Sequence, residues 1–205
     1  MLSQALIFLD LETTGMAAAH ERITEIGLVE VVEGKRIDSW STLVNPQKRI
    51  PPFIQSLTGI TDAMVRDAPS FEQLAPALIE RLQGKLLIAH NARFDYGFLK
   101  SEFARLDLAY RSRVLCTAKL SRKLFPEHRS HSLDSLIARY RLSCSARHRA
   151  LGDAEVLWDF LRKVYAQVEP ARINAAVQAQ MDASGFPAEV IDAIPAAPDP
   201  GKLSN

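Results

Sequence analysis

An apolar run, ALIFLDLE (residues 5–12), ends in two carboxylates spaced two apart, Asp10 and Glu12. A short stretch this rich in Leu, Ile and Phe reads as a buried strand. Side chains at i and i+2 of a strand point to one face, so both acids are presented to the same point. Burying two like charges together is unfavourable unless a cation lies between them. Whatever fold the chain adopts must therefore bring this strand end to a place where a divalent metal fits.

The strand signals continue. Ile23 to Val32 is a β-branched run, Glu33–Lys35 a turn whose Gly34 accepts positive φ, and Arg36 to Val44 a third alternating strand. The three form an antiparallel meander. After a Pro-bearing loop at Asn45–Pro52, helical patterning covers Phe53–Leu57, Asp62–Arg66 and Ser70–Leu82. Ser70 caps the last of these with Glu72 and Gln73 in its first turn, Pro76 threatens a kink and Gly84 stops it. Lys85–His90 reads as a strand, Phe94–Leu106 as a helix, and Val114–Cys116 as a brief strand leading into a helix through Leu124. Helices at Ser132–Tyr140 and Leu151–Val168 follow. A meander and then strand–helix alternation predict an α/β fold, a mixed sheet flanked by helices. The domain is expected to span residues 1–168. Residues 169–205 form a tail, helix-capable from Ala171 to Ala183 and then too rich in Pro and Gly to fold alone.

A net charge of +1 over 205 residues gives no global attraction to polyanions. The distribution is uneven: from Tyr110 to Arg149 ten Arg and Lys residues stand against two acids, Glu127 and Asp134. That stretch is the candidate track for phosphates. The two cysteines, Cys116 and Cys144, lack metal-ligand spacing and read as reduced thiols. The N-terminal apolar run is short and carries Asp10, so neither a signal peptide nor a membrane span is expected, and the cytoplasm is the default location.

Two further acids enter the argument by position. Asp95 follows the strand KLLIAH at a helix start, and Asp153 lies in the first turn of the long helix, with His148 five residues earlier in the loop. Acids at helix N-termini often only complement the dipole. Four carboxylates at strand and helix ends on one sheet edge can instead converge on two divalent ions. Hard oxygen donors favour Mg2+ or Mn2+ over Zn2+. Two such ions suit in-line phosphoryl displacement, and His148 titrates in the range a general base needs. The adjacent Arg147 and Arg149 favour its neutral form.

The ordered segments FLDLETTG, LTGITDAMV, AHNARFDYGFL, HSLDSLIARY and HRALGDAEVL resemble the motifs of the DEDDh exonuclease superfamily. They are most similar to the proofreading exonucleases, such as the epsilon subunit of bacterial DNA polymerase III. The resemblance runs from about Leu6 to Val164 and implies a ribonuclease H-like fold with a five-stranded sheet, two Mg2+ or Mn2+ ions, and release of nucleoside 5′-monophosphates from a 3′ end. It implies that Asp10, Glu12 and Asp153 hold one ion, that Asp10 and Asp95 hold the second, and that His148 is the base. The tyrosine-using subclass is excluded, because no tyrosine here has Asp four residues on. The same resemblance places Thr13 and Thr14 near the terminal nucleotide and Gly59 and Ile60 near the 3′ base. Arg147 and Arg149 are taken as substrate contacts. His90, Asn91 and Phe94 are expected to brace the Asp95 loop, His128 and His131 to be structural or phosphate-facing, and Phe98, Leu99, Trp158 and Phe160 to be core.

The favoured expectation is a 3′–5′ exonuclease acting on single-stranded DNA or frayed 3′ ends in proofreading or repair. An RNA-directed exonuclease of the same fold is the first alternative. The second is a binding module that recruits a polymerase or a second nuclease through the tail, whose FPAEVIDAIPAAPDPG segment weakly resembles the lead-in to an endonuclease domain in some bacterial repair proteins.

Overall fold

The computed structural model describes residues 5–183. Three strands form the meander: β1 (Leu6–Thr13), β2 (Ile23–Val32) and β3 (Lys35–Leu43). The short helices α1 (Pro52–Thr58) and α2 (Asp62–Val65) precede α3 (Phe71–Leu82). Then come β4 (Leu86–Ala89), α4 (Arg93–Ala104), β5 (Arg113–Cys116), α5 (Thr117–Leu124), α6 (Leu133–Tyr140), α7 (Ala150–Gln167) and α8 (Pro170–Ala183). The five strands make one sheet in the order β3-β2-β1-β4-β5, antiparallel on the β2 side of β1 and parallel on the β4 side. This is the mixed, helix-flanked architecture that the meander and the alternation predict.

Period-two alternation sorts β1 into two layers. Leu6 and Phe8 join Val29, Val31, Leu157, Phe160 and Leu161 on the α7 face, whereas Ile7, Leu9 and Leu11 join Phe71, Leu78, Phe98 and Phe103 beneath α3 and α4. Each fully buried Phe or Leu contributes about 1.5–3 kcal/mol relative to an exposed one. Asp10 and Glu12 continue the α7-facing row beyond Phe8. Parallel pairing of β1 with β4 ends at Phe8 and Ile88. Past that point the β4 side of β1 is open, and the chain leaving β4 turns into α4 there. A crevice where neighbouring strands part is the usual place for a site in such sheets.

Local chemistry sets most boundaries. Ser70 and Gln73 form a reciprocal capping box, and α3 runs through Pro76 without ending. Ser132 caps α6 through the Ser135 N–H. The helix expected over Phe94–Leu106 begins at Arg93 and ends at Ala104. Among the described residues no helix is long and apolar enough to cross a membrane.

Packing does not stop at Val168. Ile173, Ala176, Val177 and Met181 of α8 lie in the same cluster as Phe8 and Leu157. Gln180 closes the exposed end of edge strand β5: its amide oxygen accepts from the Cys116 N–H at 3.1 Å and its amide nitrogen donates to the Cys116 carbonyl at 3.3 Å. The Pro-rich tail from residue 184 onward, with its expected role in recruitment, lies outside the described residues.

Candidate active site

β1 and α7 bring three of the four acids together. Carboxylate oxygens of Asp10, Glu12 and Asp153 lie within 4.8 Å of one another. Asp10 sits opposite Gly27 of β2, and Glu12 opposite Glu25. A Cβ on Gly27 would stand 2.2 Å from the carbonyl carbon of Ala150 and the nitrogen of Leu151, so only glycine lets the first turn of α7 rest on β2 there. A Cβ on Gly152 would likewise stand 2.3 Å from the Ala146 carbonyl oxygen. These two contacts fix the turn that carries Asp153. A register shift between Glu12 and Thr13 then bends the end of β1 beside the cluster.

Asp95 acts on the cluster electrostatically from α4. It is buried at the start of α4, and the N–H groups of Leu11 and Asp95 itself favour its charged form. Burial and Glu12 outweigh them and push its pKa up to about 8. Burial, then Asp95, Asp153 and Glu12, raise Asp10 well above the ordinary carboxylate range. Glu12 is pushed to about 7 by burial, with Asp153 and Glu25 adding to it. Burial also raises Asp153, against the lowering influence of Arg147. Each acid thus resists ionisation for the reason its sequence position suggested: too much negative charge in too little water.

The donor set is all carboxylate oxygen, suited to Mg2+ or Mn2+. The one soft group nearby is the half-buried Cys144 thiol, which donates to Asp153 Oδ1 at 3.9 Å. His148 lies in the loop entering α7, half-buried and in a left-handed conformation (φ 59°) that costs a non-glycine residue about 1–2 kcal/mol. Such strain tends to sit at functional positions.

The flanking arginines are engaged with acids. Arg147 donates through Nε to Asp134 Oδ1 at 2.7 Å and through Nη1 to Asp153. Arg149 grips Glu25 with Nε and Nη2, the latter at 2.6 Å, while the Ala150 N–H donates to the same carboxylate at 2.9 Å. Both guanidiniums are therefore neutralised by carboxylates, which removes the unopposed positive charge expected beside His148. Glu25 and Asp134 are the residues that sequence reasoning missed. Glu25 was detectable as an acid inside the apolar strand ITEIGLVEVV, on the face of its neighbour Glu12.

The remaining candidates divide. The Thr13 hydroxyl donates to the Gly15 carbonyl at 2.7 Å, and that of Thr14 donates to Glu21 and accepts from the Arg22 N–H at 3.0 Å. Both hydroxyls hold the turn after Glu12. Gly59 is the left-handed C-cap of α1 (φ 71°), exposed at the surface. Ile60 is wholly buried with Ile50 and Val65, so its side chain supports this loop from within, and a base could meet only the backbone or Gly59. His90 is held by Thr117 at 2.9 Å, and burial lowers its pKa to about 4. His131 bonds Ser121 at 2.8 Å and the His128 carbonyl at 3.0 Å. Both imidazoles are held in place by these bonds.

Comparisons with known proteins identify the family and agree with the fold. The family described as exonuclease, RNase T, matches residues 7–161. A PolC-type DNA polymerase III of Caldanaerobacter subterraneus subsp. tengcongensis is 37% identical over 169 residues, 82% of this chain and 12% of that protein. A protein of Mycobacterium tuberculosis named provisionally as a bifunctional exonuclease/endonuclease is 39% identical over 171 residues, 79% of this chain and 26% of its own length. The chain thus spans about a quarter or less of these relatives. Among solved structures, exonuclease X in complex with 5′ overhanging duplex DNA is 29% identical, with a TM-score of 0.64 over 91% of this chain and 96% of that one. An E. coli exonuclease I–single-stranded DNA complex shares the fold (TM-score 0.76, 18% identity, 84% of this chain and 42% of that one). The match over residues 7–161 covers every strand and all five acidic and histidine positions, and the chain belongs to the RNase T family of exonucleases.

Proposed function

We propose that this chain is a divalent-metal-dependent 3′–5′ exonuclease that releases nucleoside 5′-monophosphates from DNA 3′ ends, in proofreading or repair. The observation that carries the reading is the meeting of Asp10, Glu12 and Asp153 within 4.8 Å, with pKa values raised by burial and by one another. A site so reluctant to ionise alone is one that a cation stabilises. Asp10, Glu12 and Asp153 would hold one Mg2+ or Mn2+, and Asp10 with Asp95 a second. When bound, such a pair supplies Lewis-acid stabilisation of the attacking and leaving oxygens.

The chain's own groups do the rest. His148, in the loop entering α7, takes the proton of the attacking water through its imidazole. Asp134 orients the Arg147 guanidinium so that it faces both Asp153 and an incoming phosphate. Arg149 and Glu25 fix the first turn of α7. The turn braced by Thr13 and Thr14 bounds the terminal nucleotide, and Gly59 the 3′ base. The PolC-type relatives are polymerases, which makes a polymerase the proposed physiological partner.

The test uses 5′-labelled single-stranded DNA and RNA, with free and blocked 3′ ends, in Mg2+, Mn2+ and EDTA. Stepwise shortening of free-ended DNA with metal, and none in EDTA or with a blocked end, is expected. Cleavage in EDTA, cuts inside a blocked strand, or action on RNA alone would overturn it.

A further inference from the structure

Beyond the Asp95 loop the surface opens into a second concavity of about 700 Å3, between the start of α4, the β5–α5 junction and α8. Arg93, Lys119, Arg122 and Lys123 line it, and its described lining includes no carboxylate. All four cations are exposed, and none forms an ion pair among the described residues. Elsewhere in the basic segment Arg147 and Arg149 are neutralised by acids, whereas these four cations share one cleft with no acid in its described lining.

Helix electrostatics explains only half of it. Arg122 and Lys123 lie in the last turn of α5, where cations favour the helix dipole. Arg93 is the first residue of α4 and Lys119 lies in the first turn of α5, where a cation opposes that dipole. Their positions call for an anion outside the protein. The cleft also offers an aromatic wall. Tyr96 is held against Tyr110 (ring centroids 6.0 Å apart), its hydroxyl accepts from the Ser112 N–H at 3.4 Å, and its ring is half-exposed. Cations tracking a groove beside a fixed ring are the elements that bind single strands without reading sequence.

We propose that this cleft seats the retained single strand of DNA on the 5′ side of the scissile bond, with phosphates on Arg93, Lys119, Arg122 and Lys123 and a base against Tyr96. The proposal rests on the exonuclease reading for its polarity: only one nucleotide leaves on the 3′ side, so any extended contact is made with the strand that stays. Arg93, two residues from Asp95, places the cleft beside the Asp95 loop.

The experiment compares the wild type with a Lys119→Gln/Arg122→Gln/Lys123→Gln variant of the full chain, after both are shown to melt alike. Binding of a labelled single-stranded DNA of about ten nucleotides is measured in EDTA by fluorescence anisotropy. Each phosphate contact to a single strand contributes roughly 0.7 to the slope of log K against log[salt]. Loss of three contacts should flatten that slope by about 2. It should also remove roughly a 20-fold component of the affinity change between about 50 and 200 mM salt. With metal added, the variant should hydrolyse a dinucleotide as the wild type does, while the longer strand loses at least about tenfold in kcat/KM through KM. Unchanged affinity and slope, or equal losses on both substrates, would overturn the proposal. If the wild type hydrolyses neither substrate, the exonuclease reading fails, and the metal-free binding slope still decides the cleft.

Discussion

Replacing Glu12 by Gln should stabilise the metal-free protein at alkaline pH and leave it unchanged at acidic pH. Glu12 is shifted from 4.5 to about 7, chiefly by burial, and among the described residues no hydrogen bond to its carboxylate is lost on substitution. Because the folded-state pKa lies above the unfolded one, the folded protein keeps the proton longer. The carboxyl costs nothing below about pH 4.5, and its cost grows until pH passes about 7. A shift of about 2.5 units, at 1.36 kcal/mol per unit, amounts to about 3 kcal/mol at pH 8. For a chain of this size that is at most about 6–12 °C in Tm. Calorimetry in EDTA at pH 5 and pH 8, on wild type and variant, measures it: the wild type should lose stability between the two pH values and Glu12→Gln should lose less. If the two proteins show the same pH dependence, Glu12 is not under the electrostatic load described. Adding Mn2+ at about 1,000 times Kd at pH 8 should reverse the order, since ligand at that concentration stabilises the wild type by about 4.1 kcal/mol and the variant lacks one donor.

Asp10→Asn should abolish nuclease activity while the metal-free Tm stays level or rises; wild-type turnover would contradict the scheme. His148→Ala should reduce turnover by roughly 10²–10⁴ with little change in Mn2+ affinity measured by calorimetry, and an unchanged rate would remove it as the base. Gly27→Ala should lower Tm and weaken Mn2+ binding together, because the added Cβ meets the α7 backbone at 2.2 Å and displaces the turn bearing Asp153; retained metal affinity would show that the turn can give way.

Local chemistry was well marked in the chain. The strand ending in Asp10 and Glu12 stands where its apolar run and spacing put it, and the Ser70 cap sits on the residue that announced it. The meander shifts by one residue at β3, which runs from Lys35 to Leu43 because Glu33 and Gly34 alone make the turn. What could not be read were pairings set by the tertiary fold. Glu25 finds Arg149 across 124 positions of sequence, and nothing local to either residue names the other. The same blindness made the basic segment look uniform, when Arg147 and Arg149 are tied to acids and Lys119, Arg122 and Lys123 are not. Helix α8 was legible as a helix, but its place in the core was not, since an Ala-rich stripe shows little amphipathic contrast.

The main-chain contact of α7 with β2 at Gly27 makes the candidate site a rigid gauge. The separation of Asp153 from Asp10 is set by the thickness of two peptide groups, with no intervening side chain that could swing between rotamers. Phe8, Leu157 and Phe160 can then be exchanged for other shapes of similar volume, at a cost in melting temperature, while the spacing that the proposed ions would require is kept.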